Sequence, residues 1–162
     1  MDEAENKQNK TQKNLNEKDY FEISIMGDGN SFYRCLSQYF DNYQEHHPFY
    51  RQLIYDYIVK NKELLKAFYP HDNDESIEQY NERYNRFIDS IQRDGTYAGN
   101  YEISAAALSL NVEIYIYRKT LLNYEFLQNY SPNENCIYPC IYIVYRNNIH
   151  FNLLYNKIYM LK

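Results

Sequence analysis

Ser31, His150 and Asn152 are residue types from which nucleophilic catalysis can be assembled, and their settings in the chain suit that chemistry. Gly27-Asp28-Gly29-Asn30-Ser31 runs straight into the amphipathic stretch Phe32 to Phe40, which puts residue 31 at an expected helix N-terminus. There the helix dipole favours negative charge. A thiol so placed, with an imidazole beside it, drops from a pKa of about 8.5 toward roughly 3.5–7.5. His150, the sole histidine after residue 71, lies in a strand-like segment near the other end of the chain. Asn152 is two residues on, shares its strand face and could orient the ring. An Asn accepting from His Nδ1–H leaves Nε2 for the nucleophile, as in a Cys-His-Asn triad. Asp28 competes for an accessory role, capping the helix or polarising the site. The backbone N–H groups from Asp28 to Ser31, with Gly29 and Asn30 among them, would form an oxyanion hole.

The elements that must position these residues are legible in outline. Tyr20 to Met26 alternates as a short strand does. Helices are expected from Ser31 to Phe40, from Pro48 to near Leu65, from Ile77 to Ile91 and from Tyr101 to Leu110, where Asn111 is a plausible stop. Strands are expected over Val112–Tyr117, Tyr124–Gln128, Pro139–Tyr145 and Ile149–Tyr155, with Arg146-Asn147-Asn148 as a hairpin turn. Helices followed by an antiparallel sheet make an α+β layout. Residues 1–19 read as a flexible polar arm and residues 20–162 as one domain.

Bulk properties narrow the function classes. A net charge of −5 without a basic run argues against nucleic acid. No apolar stretch is long enough for a membrane span, and the three cysteines, Cys35, Cys136 and Cys140, do not form a disulfide framework. A cytoplasmic monomer needing neither metal nor cofactor is expected. His46, His47 and His71 sit in polar stretches and read as exposed, Cys35 as facing the core, and Glu102 as bracing its helix rather than acting as an acid.

Three blocks, in order, carry a resemblance to a known family. Gly27-Asp28-Gly29-Asn30-Ser31-Phe32-Tyr33-Arg34 resembles the nucleophile block of the ovarian tumour (OTU) domain cysteine proteases, which reads D-G-N-C followed by an aromatic or Leu pair and Arg. Tyr97-Ala98-Gly99-Asn100-Tyr101-Glu102-Ile103 is similar to the family's W-G-G-x-x-E-L block, with Tyr97 for Trp and Ala98 for Gly. Ile149-His150-Phe151-Asn152 resembles its H-Y-N or H-Y-D strand. The resemblance implies a papain-like fold of OTU type. It also implies a cysteine isopeptidase that releases ubiquitin, polyubiquitin or a ubiquitin-like modifier from lysine. Ser31 and His150 would be catalytic, together with Asp28 or Asn152, and Tyr97 and Gly99 would join Gly29 and Asn30 along a cleft for a Gly-Gly tail. The Asn-, Lys-, Ile- and Tyr-rich composition would suit a parasite, symbiont or virus, so the host cytosol is a further expected location.

Ser31 is the main departure from that pattern. A deliberate Cys→Ser exchange, a natural relative that binds without cutting, and a working serine hydrolase are the three readings, in that order. A serine cannot rest as an anion as a thiol can, and a site shaped for sulfur misplaces Oγ. The chain as written is therefore expected to be inactive, and its alternative role is that of a ubiquitin-binding pseudoenzyme.

Overall fold

The computed structural model describes residues 14–133, 139–147 and 149–160. In chain order, β1 (Leu15–Asn16) and β2 (Tyr20–Ile23) lead into α1 (Ser31–Asp41), α2 (His47–Lys60), a one-turn α3 (Lys62–Leu65), α4 (Ile77–Ile91) and α5 (Asn100–Leu110). Strands β3 (Glu113–Lys119), β4 (Asn123–Tyr130), β5 (Cys140–Arg146) and β6 (His150–Asn156) follow, and α6 (Lys157–Met160) comes last. The strands form one sheet in the order β1-β4-β3-β5-β6-β2. β3 and β5 run parallel and every other neighbouring pair is antiparallel, which makes the α+β, mainly antiparallel architecture expected from the sequence.

Local chemistry sets most boundaries. Ser76 and Gln79 form a reciprocal capping box at the start of α4, with bonds of 3.0 and 3.1 Å. Asn42 and Asn111 end α1 and α5 in the left-handed region, at φ 60 and 57°. The helix expected from Pro48 to near Leu65 is instead interrupted at Asn61, where φ is −111° and the side-chain amide donates to Tyr57 O at 2.8 Å. Such a local bond competes with helix continuation.

The sequence-based reading needs two further corrections here. Leu15 and Asn16 pair with Tyr124 and Asn123, so strand structure begins inside the stretch read as an arm. Leu15, the only leucine before residue 20, packs against the aromatic cluster of β3 and β4, and that burial is what secures it. Residues 1–13, Cys136 and Asn148 lie outside the described residues. His47 is buried rather than exposed, because the neighbouring His46 N–H bonds Ser37 Oγ and draws the start of α2 onto α1.

Strand alternation gives the sheet two unlike faces. Ile114, Ile116, Ile141, Ile143, Phe151 and Leu153 point toward the helices and join Phe32, Leu36, Ile54, Ile103 and Ala106 in the main core. Each such aliphatic side chain contributes about 1.5–3 kcal/mol of burial. Tyr115, Tyr117, Tyr124, Val144 and Leu154 cluster on the opposite face.

Candidate active site

The first glycine loop is held by the second. Gly29 has φ +85°, and a Cβ there would stand 2.1 Å from Gly95 O, so only glycine fits. Gly95 itself has φ +80°. Asn30, at the junction, accepts from Gly95 N at 2.8 Å and from Arg51 Nη2 at 2.6 Å, and donates to Asp94 Oδ1 at 3.2 Å. Its side chain is thus a buried staple between the two loops and not, as expected, part of the cleft wall.

Asp28 is also placed differently from expectation. Its carboxylate accepts from Arg34 Nε at 3.1 Å and Nη2 at 2.7 Å, and from Asn30 N at 3.2 Å. The Arg34 hydrogen bonds hold it well below the usual carboxylate range. Those partners leave Asp28 bracing the loop, and its Oδ1 takes up the Asn30 N–H that was expected to serve an oxyanion. The N–H of Ser31, at the first position of α1, has no carbonyl one turn back to bond.

Residue 31 meets the C-terminal strand directly. β2 ends at Ile23, opposite Leu153, so the first half of β6 keeps an edge that α1 covers. Phe151 N–H donates to Ser31 Oγ at 3.2 Å, and Cys35 Sγ lies 3.6 Å from Phe151 O one helical turn on. Complete burial pushes the Cys35 thiol up, which makes it an inert core residue, as its spacing implied.

His150 Nε2 bonds Asn152 Oδ1 at 2.8 Å, and the same oxygen accepts from Ile25 N at 2.9 Å. A backbone N–H can only donate, so it fixes which end of the Asn152 amide is oxygen. His150 must then donate from Nε2, which leaves Nδ1 as the basic nitrogen. This reverses the expected tautomer, in which Nδ1 bonded the asparagine. The imidazole runs along its own strand toward Asn152, so its far nitrogen makes that contact while Nδ1 stays on the Gly27 side. A Cβ at Gly27 would lie 3.5 Å from Nδ1.

Ser31, His150, Gly27, Gly29, Tyr97 and Asn147 line one cleft of about 350 Å³. The Tyr97 ring stacks on Phe151 with 5.8 Å between centroids and closes one side. Gly99 does not reach this cleft: it lines a separate hollow beyond Tyr97, and its N–H bonds Glu102 Oε2 at 2.5 Å. Glu102 therefore braces the start of α5, as expected.

Sequence reasoning missed Glu22, Ile25 and Arg146. Asn152 Nδ2 donates to Glu22 Oε2 at 3.1 Å, and Arg146 Nη2 lies 2.7 Å from both Glu22 oxygens. A carboxylate inside the alternating stretch Tyr20 to Met26 was the available signal.

Known proteins resemble this chain in sequence and in fold. A family model described as OTU-like cysteine protease matches residues 26–151. An Arabidopsis thaliana protein, OVARIAN TUMOR DOMAIN-containing deubiquitinating enzyme 7, is 29% identical over 135 residues, covering 83% of this chain. The match covers 32% of that relative, so the chain spans about a third of its length. Among solved structures, the OTU domain of OTUD1 superposes with a TM-score of 0.69 at 23% identity, covering 85% of this chain and 86% of that one. The Hazara virus OTU bound to ubiquitin gives 0.67 at 13% identity, covering 90% and 87%. At those identities the structures speak for the fold, and the extent of the family match speaks for descent: from the first glycine loop to the histidine strand, this chain belongs to the OTU-like cysteine protease family.

Proposed function

We propose that this domain is built to hydrolyse the bond between the C-terminus of ubiquitin, or a ubiquitin-like modifier, and a lysine side chain. Ser31 stands at the nucleophile position, and the chain as written binds this substrate without cutting it. The observation that carries the reading is the Asn152–His150 bond, which engages Nε2 and leaves Nδ1 as the ring nitrogen beside Gly27 in the cleft that holds residue 31. The deubiquitinating relative in Arabidopsis and the ubiquitin complex of the Hazara virus domain support the substrate class.

With cysteine at position 31, His150 Nδ1 takes the thiol proton and the thiolate attacks the carbonyl carbon of the modifier's last residue. A C–S bond forms, and the oxyanion meets the N–H of residue 31 at the positive end of α1. Collapse breaks the C–N bond, and His150 protonates the departing lysine amine. Water, losing a proton to Nδ1, then hydrolyses the thioester and frees the thiol. The Phe151 N–H that now bonds Ser31 Oγ would help to hold the thiolate. A serine hydroxyl lacks this resting anion, and its smaller atom sits short of the attacking position.

The test is Ser31→Cys, incubated beside the Ser31 chain with a ubiquitin probe bearing a C-terminal thiol-reactive group, then with linkage-defined diubiquitins. Labelling and cleavage by the cysteine form alone are the expected results. Ubiquitin binding by both forms with no labelling of either would replace this reading with a non-catalytic ubiquitin binder. Absence of any interaction would overturn the substrate class.

A further inference from the structure

The asparagine that orients His150 is itself held from behind. In the β2–β6 pairing Glu22 lies opposite Leu154, and in the β5–β6 pairing Arg146 lies opposite His150. Side chains paired across neighbouring strands share a face, as do residues two apart along one strand. Glu22, Arg146, His150 and Asn152 therefore converge from three adjacent strands on one side of the sheet. The contacts run in series: Arg146 Nη2 to both Glu22 oxygens at 2.7 Å, Asn152 Nδ2 to Glu22 Oε2 at 3.1 Å, and His150 Nε2 to Asn152 Oδ1 at 2.8 Å.

Arg146 Nη2, Asn152 Nδ2 and His150 Nε2 each face an acceptor in this series, while the buried Arg146 Nε has no partner among the described residues. Asn152 is 9% exposed, so an Nδ2 without a partner would be costly there, and its amide would be drawn away from His150. Ile25 N–H secures the oxygen end and the Glu22 carboxylate secures the nitrogen end. Arg146 Nη2, bonded to both of its oxygens, aims that carboxylate.

We infer that Glu22, anchored by Arg146, is a positioning residue of the hydrolytic site, acting through Asn152 to hold His150 with Nε2 protonated and Nδ1 free. This rests on the reading of residue 31 as the nucleophile position.

The test uses the full chain carrying Ser31→Cys, with ubiquitin bearing a fluorogenic C-terminal amide as substrate. Glu22→Ala should lower kcat about tenfold or more while KM holds, since the group touches no substrate. Glu22→Gln, whose amide oxygen still accepts from Asn152, should recover most of that loss. In an Asn152→Ala background Glu22→Ala should cost nothing further, because its target is already gone. A second readout needs no activity: imidazole ¹⁵N shifts of the Ser31 chain should report His150 protonated at Nε2, and Glu22→Ala should mix the tautomers. Unchanged kcat with an unchanged tautomer would overturn the inference, as would a loss that simply adds to that of Asn152→Ala. Failure of Ser31→Cys to react with ubiquitin would instead fall on the proposed function, and the ¹⁵N measurement would still decide the role of Glu22.

Discussion

The two faces of β6 live under different physics. Phe151 and Leu153 point into the main core and are 4% and 0% exposed, in contact with a sheet face made of Ile and Leu and with the helices above it. His150, Asn152 and Leu154 point the other way, where two of the three are polar and tied into a series of hydrogen bonds. One face derives its stability from area and shape, which tolerate exchange among apolar residues of similar volume. The other depends on direction, since one reversed donor would undo the tautomer. A single seven-residue strand thus alternates core packing with a polar hydrogen-bonded face.

Separating those roles by mutation gives the largest expected effect. In the Ser31→Cys chain, His150→Ala should lower kcat by about three orders of magnitude, the range of a lost acid–base group. Its melting temperature should stay close to that of the parent, and a large drop would show that the chemical face also bears the fold.

Leu153→Ala should do the reverse. It empties a fully buried site between sheet and helices and should destabilise by about 2–5 kcal/mol in denaturant titration. Activity per folded molecule should remain near that of the parent. A loss of kcat at saturating folded protein would mean that packing on one face sets geometry on the other.

The smallest expected effect concerns acid. Arg34 lowers the Asp28 carboxyl below its unfolded value, so the stabilisation is complete above the unfolded pKa near 3.9 and is lost as pH falls below it toward the folded value. Asp28→Asn should therefore melt below the parent at pH 6, with the gap narrowing under pH 4. A gap independent of pH would assign the Asp28 contribution to shape rather than charge. Because Asp28 is partly exposed, salt should shrink the gap as well.

How much could be read in advance varies with the range of the forces involved. α4 was legible to the residue, because Ser76, Gln79 and the apolar face lie within a few positions of one another. The break at Asn61 was not, since a lone asparagine in a helical pattern looks tolerable until its amide is seen on Tyr57 O. β1 was hidden because Leu15 and Asn16 become a strand only when β4, more than a hundred residues later, offers its edge. Tyr97 and Gly29, expected along the cleft, and Ser31 and His150, expected as catalytic residues, line one hollow together. Asn30 and Gly99 belong to the same sequence blocks, yet the Asn30 side chain is spent on Gly95 and Arg51 and Gly99 lines another hollow, since block membership alone does not say which surface a residue meets.

By itself, the sequence determined the residue types of the site, their order, the helix start at residue 31 and the alternation that puts His150 and Asn152 on one face. Those features are local or periodic, set by backbone geometry over a few residues. The tertiary structure alone decided which nitrogen of His150 stands beside Gly27 in the cleft that holds residue 31, that Asp28 serves Arg34, and that Glu22 stands behind Asn152. Each of these depends on strand register or on a backbone N–H delivered from far along the chain, and no pattern within β6 encodes where its neighbours in space will put their donors.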